Sequence, residues 1–227
     1  KKLLLTKKII NSILLDPNIE NTLIHKNSSV GIINGLYATS LGNGGIIPIQ
    51  IFPNLDKSCN KFEIKLTGKQ GDVMKESVSC SLTAALEYIK NNSKKYNIDN
   101  IEEYMNNNLK HGFHIHCPST STPKDGPSAG CAFTSAFISR ILNKPIKNDI
   151  GMTGEIDLIG NITKIGGLEF KLPGAKKAGI KTVYIPLENK KDLDNLKVKY
   201  NKLIDKNFNV IPCSNISEII DNILTDN

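Results

Sequence analysis

Hydrophobic positions along the first half of the chain follow two periods, which predict strands and helices in turn. Stretches that alternate apolar and polar residues, bounded by Gly, Asn and Asp, predict strands at 30–38, 45–52 and 62–67. A long helix is predicted from Asp72 to about Asn91. The polar connection that follows contains a short helix near 101–105.

The second half of the chain continues this alternation. The predicted elements are a strand carrying His114, a helix beginning around Ser128, a strand at 152–158, a helix carrying Lys171, a strand at 182–185, a helix from Asn189, a strand at 208–212 and a helix at 216–224. Mixed helices and strands in this order indicate an α/β (α+β) architecture.

A serine lies where a turn rich in Gly and Pro leads into a helix, in PKDGPSAG at 123–130. Pro127 suits the first helical position, which places Ser128 in the first helical turn. Unpaired N–H groups and the positive end of the helix dipole favour an oxyanion there. A capping serine and a phosphate-binding loop are alternative interpretations of the same residues.

A lysine follows a second glycine cluster, GGLEFK at 166–171. Apolar residues spaced three and four apart put Lys171 on the apolar stripe of its helix. Pro173 fits such a helix only if Lys171 lies in the first turn. Burial would lower the pKa of the ammonium toward that of a general base, whereas a lysine that reaches past the helix edge would stay charged. Together Ser128 and Lys171 suggest a Ser-Lys hydrolase.

Three further polar residues are candidates for a site. His114 and His116 share one face of their predicted strand, as a zinc-binding pair would, but no paired cysteines and no third ligand accompany them. A polar strand face that bonds a neighbouring loop is the preferred interpretation. Thr153, before Gly154 and Glu155, could serve the site or satisfy turn backbone.

Composition narrows the class of protein. A chain of 227 residues with 39% hydrophobic content suits one domain of ordinary to large size. The net charge of +7 comes from lysines that are dispersed along the chain, and the chain has no tryptophan. Nucleic-acid binding is therefore only a weak inference. Five widely spaced cysteines argue for a reducing compartment. No apolar run approaches the ~18 residues of a membrane span, and charges near the N-terminus interrupt any signal peptide.

A change in composition near 26–29 marks a possible boundary. Residues 1–28 are expected to be an approach segment or the end of a preceding domain, and residues 29–227 a single domain.

Several motifs together resemble one family. They are GKQGDVMKES from Gly68, the His114–His116 strand, PKDGPSAG, MTGEIDLIG from Met152, IGGLEFK, and AGIKTVYIPLENKKDL from Ala178. Their order and spacing, with the lysine 43 positions after the serine, resemble the Lon protease proteolytic domain over roughly 30–224. The chain departs from the family at Glu169, at Phe170 and in the segment that ends at Gln50, which affects substrate fit or regulation more than the serine and lysine.

The resemblance implies a mixed-sheet Lon proteolytic fold and a serine endopeptidase in which Ser128 is the nucleophile and Lys171 the general base. Thr153 would orient the lysine, and His114 and His116 would play a minor supporting role. Asp125 would match the acidic residue of the nucleophile loop, whose conformation differs between active and inactive forms.

The resemblance also implies partners and a setting. No GxxxxGK[ST] phosphate loop is present, so no cofactor is expected in this chain. ATP and Mg would belong to an ATPase domain outside the sequence. Unfolded or damaged proteins are the expected substrates and a homo-hexameric ring the expected assembly. The mitochondrial matrix or another organelle is expected for a eukaryotic source, and the cytoplasm for a bacterial one.

Two alternatives to the peptidase stay open. One is a noncatalytic substrate-binding or regulatory module on the same fold. The other is a small-molecule phosphotransferase that uses the serine loop as a phosphate cradle, although the sequence offers it no acidic metal-binding partner.

Overall fold

The computed structural model describes residues 6, 9, 23–54, 63–108, 112–118 and 125–226. The strands are β1 Ser29–Val30, β2 Ile32–Ala38, β3 Gly44–Pro53, β4 Ile64–Thr67, β5 Phe113–His116, β6 Pro145–Ile146, β7 Ile150–Met152, β8 Glu155–Ile156, β9 Ile162–Thr163, β10 Thr182–Pro186 and β11 Asn209–Cys213. The helices are α1 Asp72–Asn91, α2 Ser93–Tyr96, α3 Ile101–Asn108, α4 Gly130–Leu142, α5 Leu168–Ala178, α6 Lys190–Lys199 and α7 Ser217–Ile223, with a 3-10 turn at Leu187–Asn189.

A mixed seven-stranded sheet in the order β11-β10-β7-β2-β3-β5-β4 organises the fold. Strands β11, β10, β7 and β2 run parallel, β3 is antiparallel to β2 and β5, and β4 is parallel to β5. The remaining named strands form two small sheets, β1 with β6 and β8 with β9. The predicted α/β fold with a mixed sheet is confirmed.

Each face of the sheet carries a separate hydrophobic core, because successive side chains of a strand point to opposite faces. Ile33 of β2 and Ile49 of β3 pack with helices α1, α4 and α7. Leu36 of β2 and Ile46 of β3 pack with α5 and α6 on the other face. The serine segment and the lysine helix therefore belong to opposite layers.

Two predicted strands are interrupted. The strand at 30–38 breaks at Gly31, whose φ is +69° and where a Cβ would lie 2.4 Å from the carbonyl oxygen of Ile51. The single strand expected at 152–158 is wrong: β7 ends at Met152 and β8 begins at Glu155. Between them the backbone of Thr153 and Gly154 bonds other segments.

The other predicted elements match the structure within a few residues. The short helix is longer than expected, Ile101–Asn108, and the single turn α2 precedes it. Phe62, predicted to start a strand, lies outside the described residues, and β4 begins at Ile64. None of the described helices is long and apolar enough to cross a membrane.

The described end of the expected approach segment contacts the domain. The N–H of Ile24 donates to the carbonyl of Ala178 at 3.2 Å, and the side chain of Asn148 donates to the carbonyl of His25 at 2.7 Å. The division at residue 28 stays a prediction.

Candidate active site

Ser128 lies in the turn before α4, and not inside the helix. The prediction that Pro127 takes the first helical position is wrong, since α4 begins at Gly130. The N–H of Gly130 donates to the carbonyl of Pro127 at 3.0 Å and so closes a turn around the serine. Gly126, which precedes this turn, has a φ of +126°, a backbone conformation that residues with a side chain rarely adopt.

Lys171 lies in the first turn of α5, as Pro173 required. Gly167, with φ +73°, begins the helix, and the N–H of Lys171 donates to its carbonyl at 3.0 Å. Pro173 removes only the bond to the carbonyl of Glu169, an exposed residue. The apolar stripe buries Lys171 to 4% exposure, which confirms that part of the prediction.

The serine and lysine side chains meet beyond the end of β7. The Nζ atom of Lys171 lies 3.0 Å from the Oγ atom of Ser128 and 3.1 Å from the Oγ1 atom of Thr153. Burial lowers the pKa of Lys171 from its ordinary 10.5 to about 8. About a tenth of the amine is therefore neutral at pH 7, far more than for an ordinary lysine.

The hydroxyl of Thr153 contacts both the lysine and the serine turn. Its hydroxyl donates to the carbonyl of Ser128 at 3.1 Å, so its oxygen is left to accept an N–H from Lys171. When the amine is neutral, its lone pair can then face the Ser128 hydroxyl.

Backbone bonds hold the serine turn at this position. The N–H of Gly154 donates to the carbonyl of Ser128 at 2.8 Å, and the N–H of Cys131 donates to the carbonyl of Gly154 at 3.0 Å. These bonds are the reason that the predicted strand at 152–158 is divided, because the peptide groups of Thr153 and Gly154 bond the serine turn and the neighbouring strand.

The start of α4 leaves few N–H groups for a ligand. Those of Gly130 and Cys131 are used within the protein. Among the described residues, the N–H groups of Ser128 and Ala129 donate to no other group. Two adjacent donors suit one oxyanion oxygen better than the several oxygens of a phosphate.

Asp125 lies three residues before the serine, but its carboxylate bonds another element. Its Oδ1 atom accepts the N–H of Met74 and the N–H of Gly126, each at 3.0 Å. It therefore caps the N-terminus of α1, and a Cβ at Gly71 would lie 2.4 Å from its carboxyl carbon. Because Asp125 lies 51 positions after Met74, the residues around the start of α1 carry no local sequence signal for this cap.

The two histidines bond Thr67 of β4, a residue that the sequence did not single out. Nε2 of His114 lies 3.0 Å and Nδ1 of His116 2.7 Å from the Thr67 hydroxyl. The pKa of His114 is lowered by burial and by Lys65 and His116. In the described part of the chain neither ring bonds Ser128 or Lys171, and no three His, Cys, Asp or Glu side chains gather as a metal site. The supporting role of the pair stays a prediction.

Ser128 and Lys171 open into a cleft of about 1580 Å³. The β2–β3 hairpin forms one wall, with Tyr37 and Asn43, and α5 forms another, with Phe170 and Pro173. The lining also includes Lys199–Leu203, from the last residue of α6 onward. The volume of the cleft is large enough for a peptide segment.

A serine hydroxyl bonded to a buried lysine of lowered pKa, at the end of a sheet and open to a long cleft, is the arrangement of a serine hydrolase that uses a lysine base. The fold and the site thus define a candidate peptidase of this class.

Comparison with known proteins agrees with this class. The family described as Lon protease (S16) C-terminal proteolytic domain matches residues 4–226. The chain is 47% identical over 221 residues to a Lon protease homolog of Acanthamoeba polyphaga mimivirus, covering 96% of this chain and 21% of that protein. It is 40% identical over 193 residues to a Lon protease of Trichlorobacter lovleyi, covering 85% of the chain and 21% of that protein.

The chain belongs to the Lon proteolytic domain family, which confirms the resemblance and the enzyme class of a Lon-type serine peptidase. It spans about a fifth of the length of these two relatives, which come from a virus and a bacterium. The cellular compartment stays a prediction.

Proposed function

We propose that the chain is a serine endopeptidase in which Ser128 attacks a peptide carbonyl and Lys171 is the general base. The observation that carries the proposal is the 3.0 Å contact between the Nζ of a buried Lys171 and the Ser128 hydroxyl. The Thr153 hydroxyl supports it, because it leaves the lysine lone pair directed at the serine.

In the first step the neutral amine of Lys171 takes the hydroxyl proton as the Oγ atom of Ser128 bonds the carbonyl carbon. The oxyanion that forms accepts the N–H groups of Ser128 and Ala129. The Lys171 ammonium then gives its proton to the leaving amine, and the C–N bond breaks to leave an ester on Ser128. Lys171 next takes a proton from water as the water oxygen attacks the ester carbon. The bond from that carbon to the Oγ atom of Ser128 then breaks, and the Lys171 ammonium returns the proton to Oγ, which releases the acid and restores the serine and the neutral amine.

The whole protein's activity is proposed on family membership. Its substrates would be unfolded or damaged proteins and its assembly a homo-hexameric ring. ATP and Mg would be bound by a separate ATPase domain and not by this chain. Sedimentation of the full-length protein tests the ring, and a mass of one or two subunits would contradict it.

Two substitutions test the serine and the lysine. Ser128→Ala and Lys171→Met should each lower cleavage of an unfolded protein by at least about 10³-fold while leaving the fold intact, because each removes one partner of the proton transfer. Ser79→Ala and Lys191→Met are matched controls at exposed positions and should retain activity. Turnover preserved in either site variant would exclude the dyad.

An acylating probe separates the peptidase from a noncatalytic module. The probe should label Ser128 in the parent protein and should label the Lys171→Met variant far more slowly, since the hydroxyl then lacks its base. A Ser128 that no such probe labels in any assembly state would instead favour a substrate-binding or regulatory module.

A further inference from the structure

The far end of the cleft carries three lysines that the proposed chemistry does not use. Lys177 on α5, and Lys199 and Lys202 around the end of α6, line the same cleft as Ser128 and are exposed. In the part of the chain that the structure describes, none of the three is within ion-pair distance of a carboxylate, whereas Lys176 beside them bonds Asp205. We refer to Lys177, Lys199 and Lys202 as the basic rim.

The backbone that carries the rim is held in place. The ammonium of Lys176 donates to the carbonyls of Lys202 and Leu203, at 2.9 and 2.7 Å, and to the Asp205 carboxylate at 2.7 Å. These bonds tie the segment after α6 to α5, the helix that carries Lys171. The rim therefore has a fixed place relative to the site.

The charge along the cleft is uneven. Asp125 and Glu169 are its acidic lining residues, and the Asp125 carboxylate accepts two backbone N–H groups. Apart from Lys171, the other ionised side chains on the lining are the three lysines of the basic rim. The part of the cleft that the rim lines therefore carries a net positive charge.

The distance from the site to the rim sets where such a potential acts. Lys177 follows Lys171 by six residues of helix, about 9 Å along the axis at ~1.5 Å per residue. A peptide that runs alongside α5 and advances ~3.3 Å per residue would bring its third residue from the cleaved bond to the level of Lys177.

We propose that the basic rim selects acidic peptide segments, by pairing with Asp or Glu side chains about three to six residues from the cleaved bond. This rests on the proposed peptidase function and names its substrate class. A peptide is favoured over a nucleic acid because the rim lines the same cleft as Ser128, and because Glu169, which also lines that cleft, would repel a phosphate backbone.

The test uses two quenched peptides that share one cleavable core and differ only in carrying Glu or Gln at positions three to six from the cleaved bond on both sides. The full-length protein should cleave the acidic peptide with a kcat/KM about tenfold higher at low salt, since each exposed ion pair contributes less than a factor of about five. The ratio should approach one at high salt.

A triple variant, Lys177→Gln with Lys199→Gln and Lys202→Gln, should lose this preference, so that its kcat/KM for the acidic peptide falls to its value for the Gln peptide. The matched control, Lys94→Gln with Lys191→Gln and Lys206→Gln, removes the same charge from exposed positions outside the cleft and should keep the preference. Equal cleavage of both peptides by the parent protein, or equal loss in both triple variants, would overturn the proposal.

Binding separates this proposal from the catalytic one. In the Ser128→Ala background a labelled acidic peptide should bind about tenfold more tightly than its Gln counterpart, and the rim variant should abolish the difference. If the parent cleaves neither peptide, the peptidase proposal fails. The binding measurement still shows whether the basic rim prefers acidic peptides. A labelled single-stranded oligonucleotide that binds through the rim more tightly than the acidic peptide would overturn the peptide as occupant.

Discussion

The backbone of Gly174 on α5 rests directly on that of Gly44 on β3, so closely that a Cβ on Gly174 would lie 2.2 Å from the carbonyl carbon of Gly44. Gly44 in turn has the carbonyl of Phe170 against its open side, where a Cβ would come within 2.1 Å of the oxygen. This double contact sets the distance between the lysine helix and the β2–β3 hairpin. It thereby helps to set the distance between Lys171 and Ser128.

Gly174→Ala should therefore displace α5 and weaken catalysis. A methyl group cannot fit against backbone, and a shift of about 1 Å at a catalytic group can cost about 10²-fold in rate. We expect kcat/KM to fall by about that factor while circular dichroism still reports a folded protein.

Gly166→Ala is the control, since a Cβ there meets no atom within 4 Å and the φ angle of Gly166 is not positive. If both alanine variants lose equal activity, the close contact of Gly174 is not the cause.

The activity should rise with pH through about 8. Burial lowers the pKa of Lys171 to about 8, and only the neutral amine accepts the serine proton. The acid limb of kcat/KM, measured with an uncharged peptide, should have its midpoint near that value. A midpoint near 6 would point instead to a histidine as the base.

The free energy of unfolding should also depend on the titration of Lys171. Below pH 8 Lys171 is protonated in both states, so the cost of burying the ammonium is fully present. Between about 8 and 10.5 the unfolded chain binds more protons than the folded one, and the free energy of unfolding rises with pH. Urea unfolding across this range should show the rise in the parent protein, and the Lys171→Met variant should lack that part of it.

Thr153→Val should lower activity more than Thr153→Ser. Valine keeps the shape but loses the oxygen that accepts the Lys171 N–H and the proton donated to the Ser128 carbonyl. We expect a fall in kcat of about 10- to 10²-fold, similar to the loss of an oriented catalytic hydrogen bond. The acid limb should also move to lower pH, because the ammonium loses an acceptor.

Thr153→Ser keeps the hydroxyl and should restore most of the rate. Equal activity of the valine variant and the parent would remove Thr153 from the site.

Asp125→Ala should destabilise the protein and the serine turn together. The carboxylate caps α1 through the N–H of Met74, and loss of such a cap costs about 1 kcal/mol. The urea midpoint should drop accordingly and kcat/KM should decrease. Asp125→Asn keeps an acceptor oxygen and should lose less stability and less activity than Asp125→Ala. A stability loss in the alanine variant without any change in rate would show that Asp125 serves only α1.

Much of the fold was predictable because its signals are local. The apolar period of LEFKLPGAKKA buries Lys171 as expected, and the alternation around His114 and His116 puts both rings on one face of β5. The errors occurred where a distant segment competes for the backbone. The strand expected at 152–158 is divided because Thr153 and Gly154 bond the serine turn and β10.

By itself the sequence determined which residues are the candidates for the chemistry, the serine in a glycine-led turn and the lysine on a buried stripe, and it carried the motifs of one family. Only the tertiary structure decided that Ser128 and Lys171, which belong to opposite layers of the sheet, meet at 3.0 Å beyond the end of β7. It also decided the cap from Asp125 to α1, the bond between the histidines and Thr67, and the contact of Gly174 with Gly44. Periodicity and turn preferences depend on neighbouring residues, whereas these distances depend on the packing of both cores against one sheet.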